Sequence, residues 1–253
     1  MQTTCFEVYR KCAKAIHEGV LIVKQSKKDK EFFFQNWCHD RVLETGYHVE
    51  AEGRNSYPDF RIVEQAEGYE IKGLAYPGRE NSYDANSNIP SGVHNGRQIF
   101  YIFGRYPSEG EENEDGKTVL PVTDLVICHG DFLNAYRDYV HENKHVKGFG
   151  TFGDIMIRDR KMYVCPTPFA IADGVVGLCT LILPENFSTI PEDFTEVGTV
   201  ERIEAEKILT GYSFNLETNV IASTTIPNPR AGEKHIFKAY RCTFESKKQV
   251  NNK

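Results

Sequence analysis

The N-terminal part of the chain has apolar residues at the spacing of two amphipathic helices. Over residues 5–24 they recur every three or four positions, at Phe6, Tyr9, Ala13, Ile16 and Val20. The same spacing returns over 31–45, and Gly46 stands where such a helix would end. We therefore expect two helices before the first strands of the fold.

Short segments of β pattern follow, in which apolar and polar residues alternate between turn-forming clusters. Before residue 130 these segments are YHVEAEG, DFRIVEQ, GYEIKGL, QIFYIFGRY and TDLVICHG. A polar loop rich in Asn, Ser, Gly and Arg is expected over 75–97, and a third helix over 131–143. From about residue 155 the pattern is mostly β.

These elements predict an α/β (α+β) fold, with a central mixed β-sheet flanked by helices and a β-rich C-terminal half. We divide the chain into a core over 1–150 and a β-rich region over 151–253. Because no long linker separates the two regions, one domain containing both is an equally open reading.

Composition narrows the functional classes without choosing one. The net charge is −6 and the pI about 5.8, so the chain lacks the basic balance typical of nucleic-acid binders, although local fields decide binding. It has no apolar run of about 18 residues and no signal-peptide pattern. Its cysteines are spread without a C-x-x-C pair. We expect a cytoplasmic protein with reduced thiols and no membrane partner.

The stretch NSYPDFRIVEQAEGYEIKGL, residues 55–74, holds the strongest candidate chemistry. Asp59 follows a proline, and Glu70 and Lys72 point to one side of a strand because side chains alternate with period two. Two carboxylates and a backbone carbonyl are the hard oxygen ligands that Mg²⁺ prefers, and a nearby lysine can act on a metal-held water. From the residues alone, a hairpin with solvent-facing charges is as good an interpretation.

A family resemblance favours the metal site. Pro58-Asp59, followed after ten residues by Glu70-Ile71-Lys72, resembles the signature of the PD-(D/E)xK nucleases. Residues 84–107 resemble the segment after the catalytic strand in several type II restriction endonucleases, and the likeness covers about 31–130. It implies a restriction-endonuclease-like core. The β-rich region over 151–253 lies outside the likeness, and we expect it to serve DNA recognition or dimerisation.

The same resemblance assigns roles to the residues of the motif. Asp59, Glu70 and the backbone carbonyl of Ile71 would bind Mg²⁺, or Mn²⁺ in its place, and Lys72 would serve the attacking water. The products would carry 5′-phosphate and 3′-hydroxyl ends. Some relatives add a carboxylate from the preceding helix, for which Glu44 is the candidate here, with Glu50 and Glu52 as competitors.

The polar loop is the expected place for base recognition. Its donors and acceptors suit groove edges, since Asn pairs with adenine and Arg with guanine. The candidate DNA-binding residues are Asn86, Asn88, Ser91, His94, Asn95 and Arg97. An ordinary loop, whose Asn and Gly residues only form turns, explains the same composition equally well.

The leading hypothesis from the sequence is a type II restriction enzyme, a Mg²⁺-dependent hydrolase that cuts double-stranded DNA as a homodimer. One alternative is a structure-selective or repair nuclease with the same core. Another is a non-catalytic β-rich binding protein. We expect no nucleotide cofactor, because GFGTFG over 148–153 precedes a strand pattern where a dinucleotide site would open a helix.

Overall fold

The computed structural model describes residues 3–24, 32–50, 56–86, 89–135, 150–158, 162–187 and 189–243. The helices are α1 (Cys5–His17), α2 (Phe33–Leu43), α3 (Gly130–Leu133) and α4 (Pro168–Ile171). The strands of the first half are β1 (Ile22–Val23), β2 (Phe60–Arg61), β3 (Glu67–Tyr76), β4 (Ser82–Asn86), β5 (Val93–His94), β6 (Arg97–Pro107), β7 (Glu111–Glu112), β8 (Thr118–Leu120) and β9 (Asp124–His129). Those of the second half are β10 (Met156–Arg158), β11 (Met162–Pro166), β12 (Cys179–Pro184), β13 (Phe194–Ile203), β14 (Lys207–Asn215), β15 (Val220–Pro227) and β16 (Lys234–Cys242).

An eight-stranded mixed sheet organises these elements. Its strand order is β13-β16-β12-β9-β6-β3-β2, and the short β5 pairs with β6. β3 runs parallel to β6 and β9 parallel to β12, while the other neighbours are antiparallel. The expected central mixed sheet is therefore present. It takes strands from both sides of residue 150, so the regions 1–150 and 151–253 share one sheet.

The helices α1 and α2 cover one face of this sheet. Their apolar side chains pack with Tyr69 and Ile71 of β3 in a single buried cluster. α1 is shorter than the apolar spacing over 5–24 predicts, because Gly19 adopts a positive φ and the Val20 N–H turns back to the Ala15 carbonyl.

A second layer of strands covers the opposite face. β4, β11 and β10 form a three-stranded antiparallel sheet, and their side chains Tyr83, Tyr163 and Cys165 belong to the second buried cluster. Part of the expected loop over 75–97 is thus strand, since it contains β4 and β5. Of the expected helix over 131–143, the structure describes residues 131–135, where α3 ends at Leu133, and 136–149 lie outside the described residues.

The structure also bears on the membrane and on the cysteines. Among the helices of the described residues, none is long and apolar enough to cross a membrane. All seven cysteines are free thiols, and six of them are buried.

A glycine on β6 lets α2 approach the sheet, and this contact can be tested. A Cβ added at Gly104 would overlap the ring of Phe34, which is held between Trp37 and Tyr106. We expect Gly104→Ala to lower the free energy of unfolding by about 1–3 kcal/mol in urea denaturation, as overpacked cores do. Gly211→Ala is the matched control, because an added Cβ there meets nothing within 4 Å. Equal stability of the two variants would contradict this packing.

Candidate active site

The candidate site forms where the β2–β3 ladder stops. Phe60 pairs with Tyr69 in this antiparallel register, so one step further Asp59 lies opposite Glu70. There, side chains replace the ladder: the Asp59 N–H donates to Oε2 of Glu70 at 3.3 Å, and the Ile71 N–H donates to Oδ2 of Asp59 at 2.7 Å. Each acid is thereby held by the backbone of the opposite strand.

Pro58 explains why the ladder cannot continue. Carried one more step, the register sets Pro58 opposite Ile71, and proline has no N–H to donate to the Ile71 carbonyl. The N–H and C=O of one strand residue point to the same side. Because the Ile71 N–H reaches Asp59, its carbonyl also faces the end of β2, beside the two acids. The sequence prediction named this carbonyl as a third metal ligand.

The strand period separates the site from the helices. Tyr69 and Ile71 point to the face covered by α1 and α2, so Glu70 and Lys72 point to the other. There, Nζ of Lys72 donates to Oε1 of Glu70 at 2.7 Å. The Glu70 side chain is 12% exposed and that of Lys72 18%, so the pair reaches solvent without lying open to it. The structure brings Asp59, Glu70 and Lys72 together.

Burial and charge together shift the protonation of this cluster. Desolvation, helped by repulsion from Glu70, raises the pKa of Asp59 to about 7, against the opposing effect of the Ile71 N–H and Lys72. Burial by itself lowers the pKa of Lys72, but attraction to the Glu70 and Asp59 carboxylates outweighs it and leaves that pKa above its usual range. The cluster therefore favours an added positive charge.

Three tyrosines surround the cluster, and sequence reasoning missed them. Tyr101 on β6 is the parallel partner of Glu70, and its hydroxyl lies 2.7 Å from that of Tyr57. The ring of Tyr83 on β4 lies 5.7 Å from Nζ of Lys72. Only the position of Tyr57, two residues before Asp59, gave a local signal. The other two lie near the site because of sheet order.

The carboxylates proposed to supplement the site lie in other contacts. Glu44 follows the last residue of α2, and its half-exposed side chain accepts from Arg41 at 2.5 Å. Glu50 accepts from Arg97. No contact of the described residues joins either acid to the cluster, and Glu52 lies outside the described residues.

The candidate base-reading residues of the loop fall into two groups. Ser91 and Arg97 are engaged within the protein: the buried Ser91 hydroxyl donates to the Val93 carbonyl, and Arg97 donates to the carbonyls of Ile62 and Gln65 and to Glu50. These bonds hold the loop and leave little of either side chain for a ligand.

His94 and Asn95 form the tip of the loop. The His94 ring meets the Tyr57 ring edge to face at 4.8 Å, and burial followed by the charge of Arg61 lowers its pKa. Asn95 is exposed, with a positive φ in the turn before β6. The backbone of Asn86 ends β4, and Asn88 lies outside the described residues.

A second acidic group lies at the far end of the sheet. Glu204, Glu233 and His235 have ligand atoms within 4.8 Å of one another. The buried Glu204 accepts from His235 at 2.7 Å and from Asn228 at 3.0 Å, while Arg230 bonds Glu233 at 2.6 Å. The Arg230 guanidinium also lies 3.7 Å from Glu204, so a cation of the protein already accompanies both acids, and we interpret the group as a link between β13 and β16.

Comparisons of the chain with protein-family models, with curated proteins and with solved structures found no match. The class that the structure itself defines is a mixed α/β protein built on a large mixed sheet, with extensive β structure and few helices.

The raised pKa of Asp59 predicts an unusual pH dependence. Without a bound cation, the free energy of unfolding should fall as pH rises, because the unfolded chain releases this proton near its ordinary pKa of 3.8 and the folded chain only near 7. Asp59→Asn removes this penalty, so at pH values above 7 it should be more stable than the parent by on the order of 4 kcal/mol, since each pKa unit corresponds to about 1.36 kcal/mol. Urea denaturation across the pH range measures the difference.

Asp193→Asn is the matched control of opposite sign. The Arg10 guanidinium holds the pKa of the Asp193 carboxyl below its usual range, so this change should destabilise the protein at neutral pH. A parallel pH profile for Asp59→Asn and the parent protein would contradict the burial of an excess negative charge at the site.

Proposed function

We propose that the protein is a Mg²⁺-dependent endonuclease that hydrolyses double-stranded DNA at a defined sequence, as type II restriction enzymes do. The observation that carries this proposal is the convergence of Asp59, Glu70 and Lys72 at the end of the β2–β3 ladder, in the order and spacing of the PD-(D/E)xK signature. The two N-terminal helices and the β2–β3 hairpin support it, because they follow the order of the nuclease core.

The donors at the site suit a hard divalent cation. One oxygen of Asp59 is held by the Ile71 N–H, which leaves its other oxygen for a ligand. Each oxygen of Glu70 accepts one hydrogen bond, Oε1 from Lys72 and Oε2 from the Asp59 N–H, and a carboxylate oxygen has a second lone pair for a cation. The Ile71 carbonyl adds a neutral oxygen, and waters would complete the octahedron that Mg²⁺ requires. When bound, the cation would polarise the scissile phosphate and a coordinated water. It would also offset the repulsion between the acids.

Lys72 contributes through its charge and its donors. Paired with Glu70, it keeps its proton, and its ammonium can orient a water or offset the negative charge that develops on the phosphate. The ring of Tyr83 on one side of Nζ limits the positions that this group can take. The attacking oxygen joins phosphorus and the bond to the 3′-side oxygen breaks, which leaves 5′-phosphate and 3′-hydroxyl ends.

A double-stranded substrate requires two cuts, so we propose that the protein acts as a homodimer. One cluster of this kind cuts one strand, and a two-fold dimer presents a second cluster to the antiparallel strand of a near-palindromic target. The partners in this proposal are therefore double-stranded DNA and a second copy of the chain. In the proposed complex, His94 and Asn95 at the loop tip lie where groove contacts can be made.

Isosteric changes at the cluster test the chemistry. Lys72→Met keeps the length of the side chain and Glu70→Gln keeps its shape, yet each removes a charge that the reaction needs. We expect each to lower the Mg²⁺-dependent cleavage rate by about a hundredfold or more, while DNA retention in Ca²⁺ without cleavage is unchanged. A gel-based cleavage assay and a filter-binding assay give the two readings.

The controls repeat the same changes on the protein surface. Glu64→Gln lies on the β2–β3 hairpin, where the side chain bonds His48, and Lys238→Met lies on β16. Both should cleave like the parent protein. Full activity of Lys72→Met with Mg²⁺ would rule out the assignment.

Mapping the ends from a long digested duplex separates restriction from repair. We expect discrete fragments whose termini share one short sequence and are open to ligation without kinase treatment, since the 5′-phosphate is already present. Cuts confined to junctions, flaps or ends would instead favour a structure-selective nuclease. An intact duplex after incubation with Mg²⁺ and with Mn²⁺ would favour a binding protein.

A further inference from the structure

A two-stranded ribbon stands apart from the main sheet. β14 and β15 pair with each other over nearly their whole length and form a separate two-stranded sheet. The other edge of β14 is partly covered, because Gly150 bridges to Leu209. Among the described residues, no strand pairs with the outer edge of β15. Two-stranded sheets are rarely stable alone in water, so this edge invites another strand.

The outer strand β15 has little protection against pairing with another chain. Its sequence, Val220 to Pro227, contains no charged residue, and every position except the half-buried Ile221 is exposed. Val220 and Ile226 are β-branched and are 57% and 40% exposed. Long uncharged edges of this kind pair readily with other chains.

The two ends of the main sheet are different. β13 carries Glu196, Glu201 and Arg202 and is interrupted by a bulge between Glu196 and Gly198. At the other end β2 is only two residues long and contains a charged arginine. Charges, bulges and short strands are the usual protection of an edge, and β15 has only a terminal proline.

We propose that β15 pairs antiparallel with β15 of a second copy of the chain, so that the two ribbons form one four-stranded sheet across a two-fold axis. The interface then supplies the second cleavage site, and in that respect it rests on the proposed function. The pairing itself is defined by the ribbon and can be measured without any nuclease activity.

Symmetry fixes the possible registers. A two-fold axis between antiparallel strands is perpendicular to the sheet, so one residue must lie opposite its own copy. With Ser223 at the axis, Val220 meets the partner's Ile226, and the symmetry repeats this pair on the other side. Shifting the axis by one residue separates these two exposed β-branched side chains, and cross-strand pairs of this kind stabilise sheets. We therefore place the axis at Ser223.

The number of bonds is adequate for a stable dimer. This register aligns residues 220–226 of each copy and forms about seven interchain hydrogen bonds, since an antiparallel ladder averages one per residue pair. Typical protein interfaces carry about ten. An uncharged strand also brings two copies of an acidic protein together without placing like charges opposite one another.

Charge also argues against a DNA duplex as the occupant of this edge. The exposed acids Glu206 and Glu217 lie beside the base and the tip of the ribbon, and the nearest cation on the ribbon is Lys207. Phosphate contacts require the opposite balance. A second copy of the chain meets no charge repulsion along the uncharged strand β15.

A charge-swap series tests the interface and its register. Val220→Glu and Ile226→Lys, each alone, place an unpaired charge in the interface. Each should raise the dimer dissociation constant at least about tenfold, as measured by sedimentation equilibrium. The double variant V220E/I226K sets opposite charges across both symmetric pairs and should recover most of the lost association. Circular dichroism confirms folding of each variant.

The control is Val197→Glu, the same change at a 41% exposed valine of the protected edge strand β13, and it should leave the mass of the dimer unchanged. A monomeric parent protein, a dimer insensitive to both single changes, or a double variant that stays monomeric would each overturn the proposal. Loss of DNA retention with unchanged mass in Val220→Glu would also overturn it and assign the ribbon to DNA. The series is repeated with Lys72→Met, so a protein without nuclease activity still reports on the interface.

Discussion

The charge of one half-buried cluster does not balance, and this constraint organises the site. Asp59 and Glu70 bring two carboxylates together beside the single ammonium of Lys72. One ammonium neutralises one acid, so burial and repulsion raise the pKa of Asp59 to about 7. A proton supplies the missing positive charge at low pH, and the proposed cation would supply it at higher pH. Perturbed carboxylates of this kind cluster at functional sites, and this supports the proposed cation site.

The backbone around the cluster follows from ordinary strand chemistry. Pro58 has no N–H to donate, so the pairing of β2 with β3 stops before it. The Ile71 N–H then bonds the Asp59 side chain instead. Side chains alternate along β3, so its apolar residues pack against α1 and α2 and its charged residues point to the other face of the sheet. Glycines on the helix side, Gly73 and Gly104, leave room for Phe34 and Tyr106, so the helices approach closely without disturbing the site.

The features that were predictable from the sequence are local. The second helix lies within the predicted 31–45 as Phe33–Leu43, and the spacing of Asp59 and Glu70 matches a tight antiparallel hairpin. Sheet order is not local: Tyr101 lies opposite Glu70 only because the crossover between β3 and β6 makes these strands parallel neighbours. β13 lies inside the acid-rich 185–206, where exposed charges hide the strand pattern. Arg97 has a polar loop around it in sequence, yet its partners are carbonyls more than thirty residues away.

The hydrogen bonds of Arg97 link the candidate base-reading loop to the β2–β3 hairpin that carries Asp59 and Glu70. By clamping the turn after β2, its guanidinium fixes the start of β6 and with it the tip that carries His94 and Asn95. The His94 ring packs against Tyr57, and Tyr57 is followed in the chain by Pro58 and Asp59. In the proposed complex, a groove contact at this tip is therefore one packed ring away from Asp59. In that complex, a shift of the His94 ring would change its packing on Tyr57, whose hydroxyl lies 2.7 Å from that of Tyr101, and this short path would couple recognition to hydrolysis.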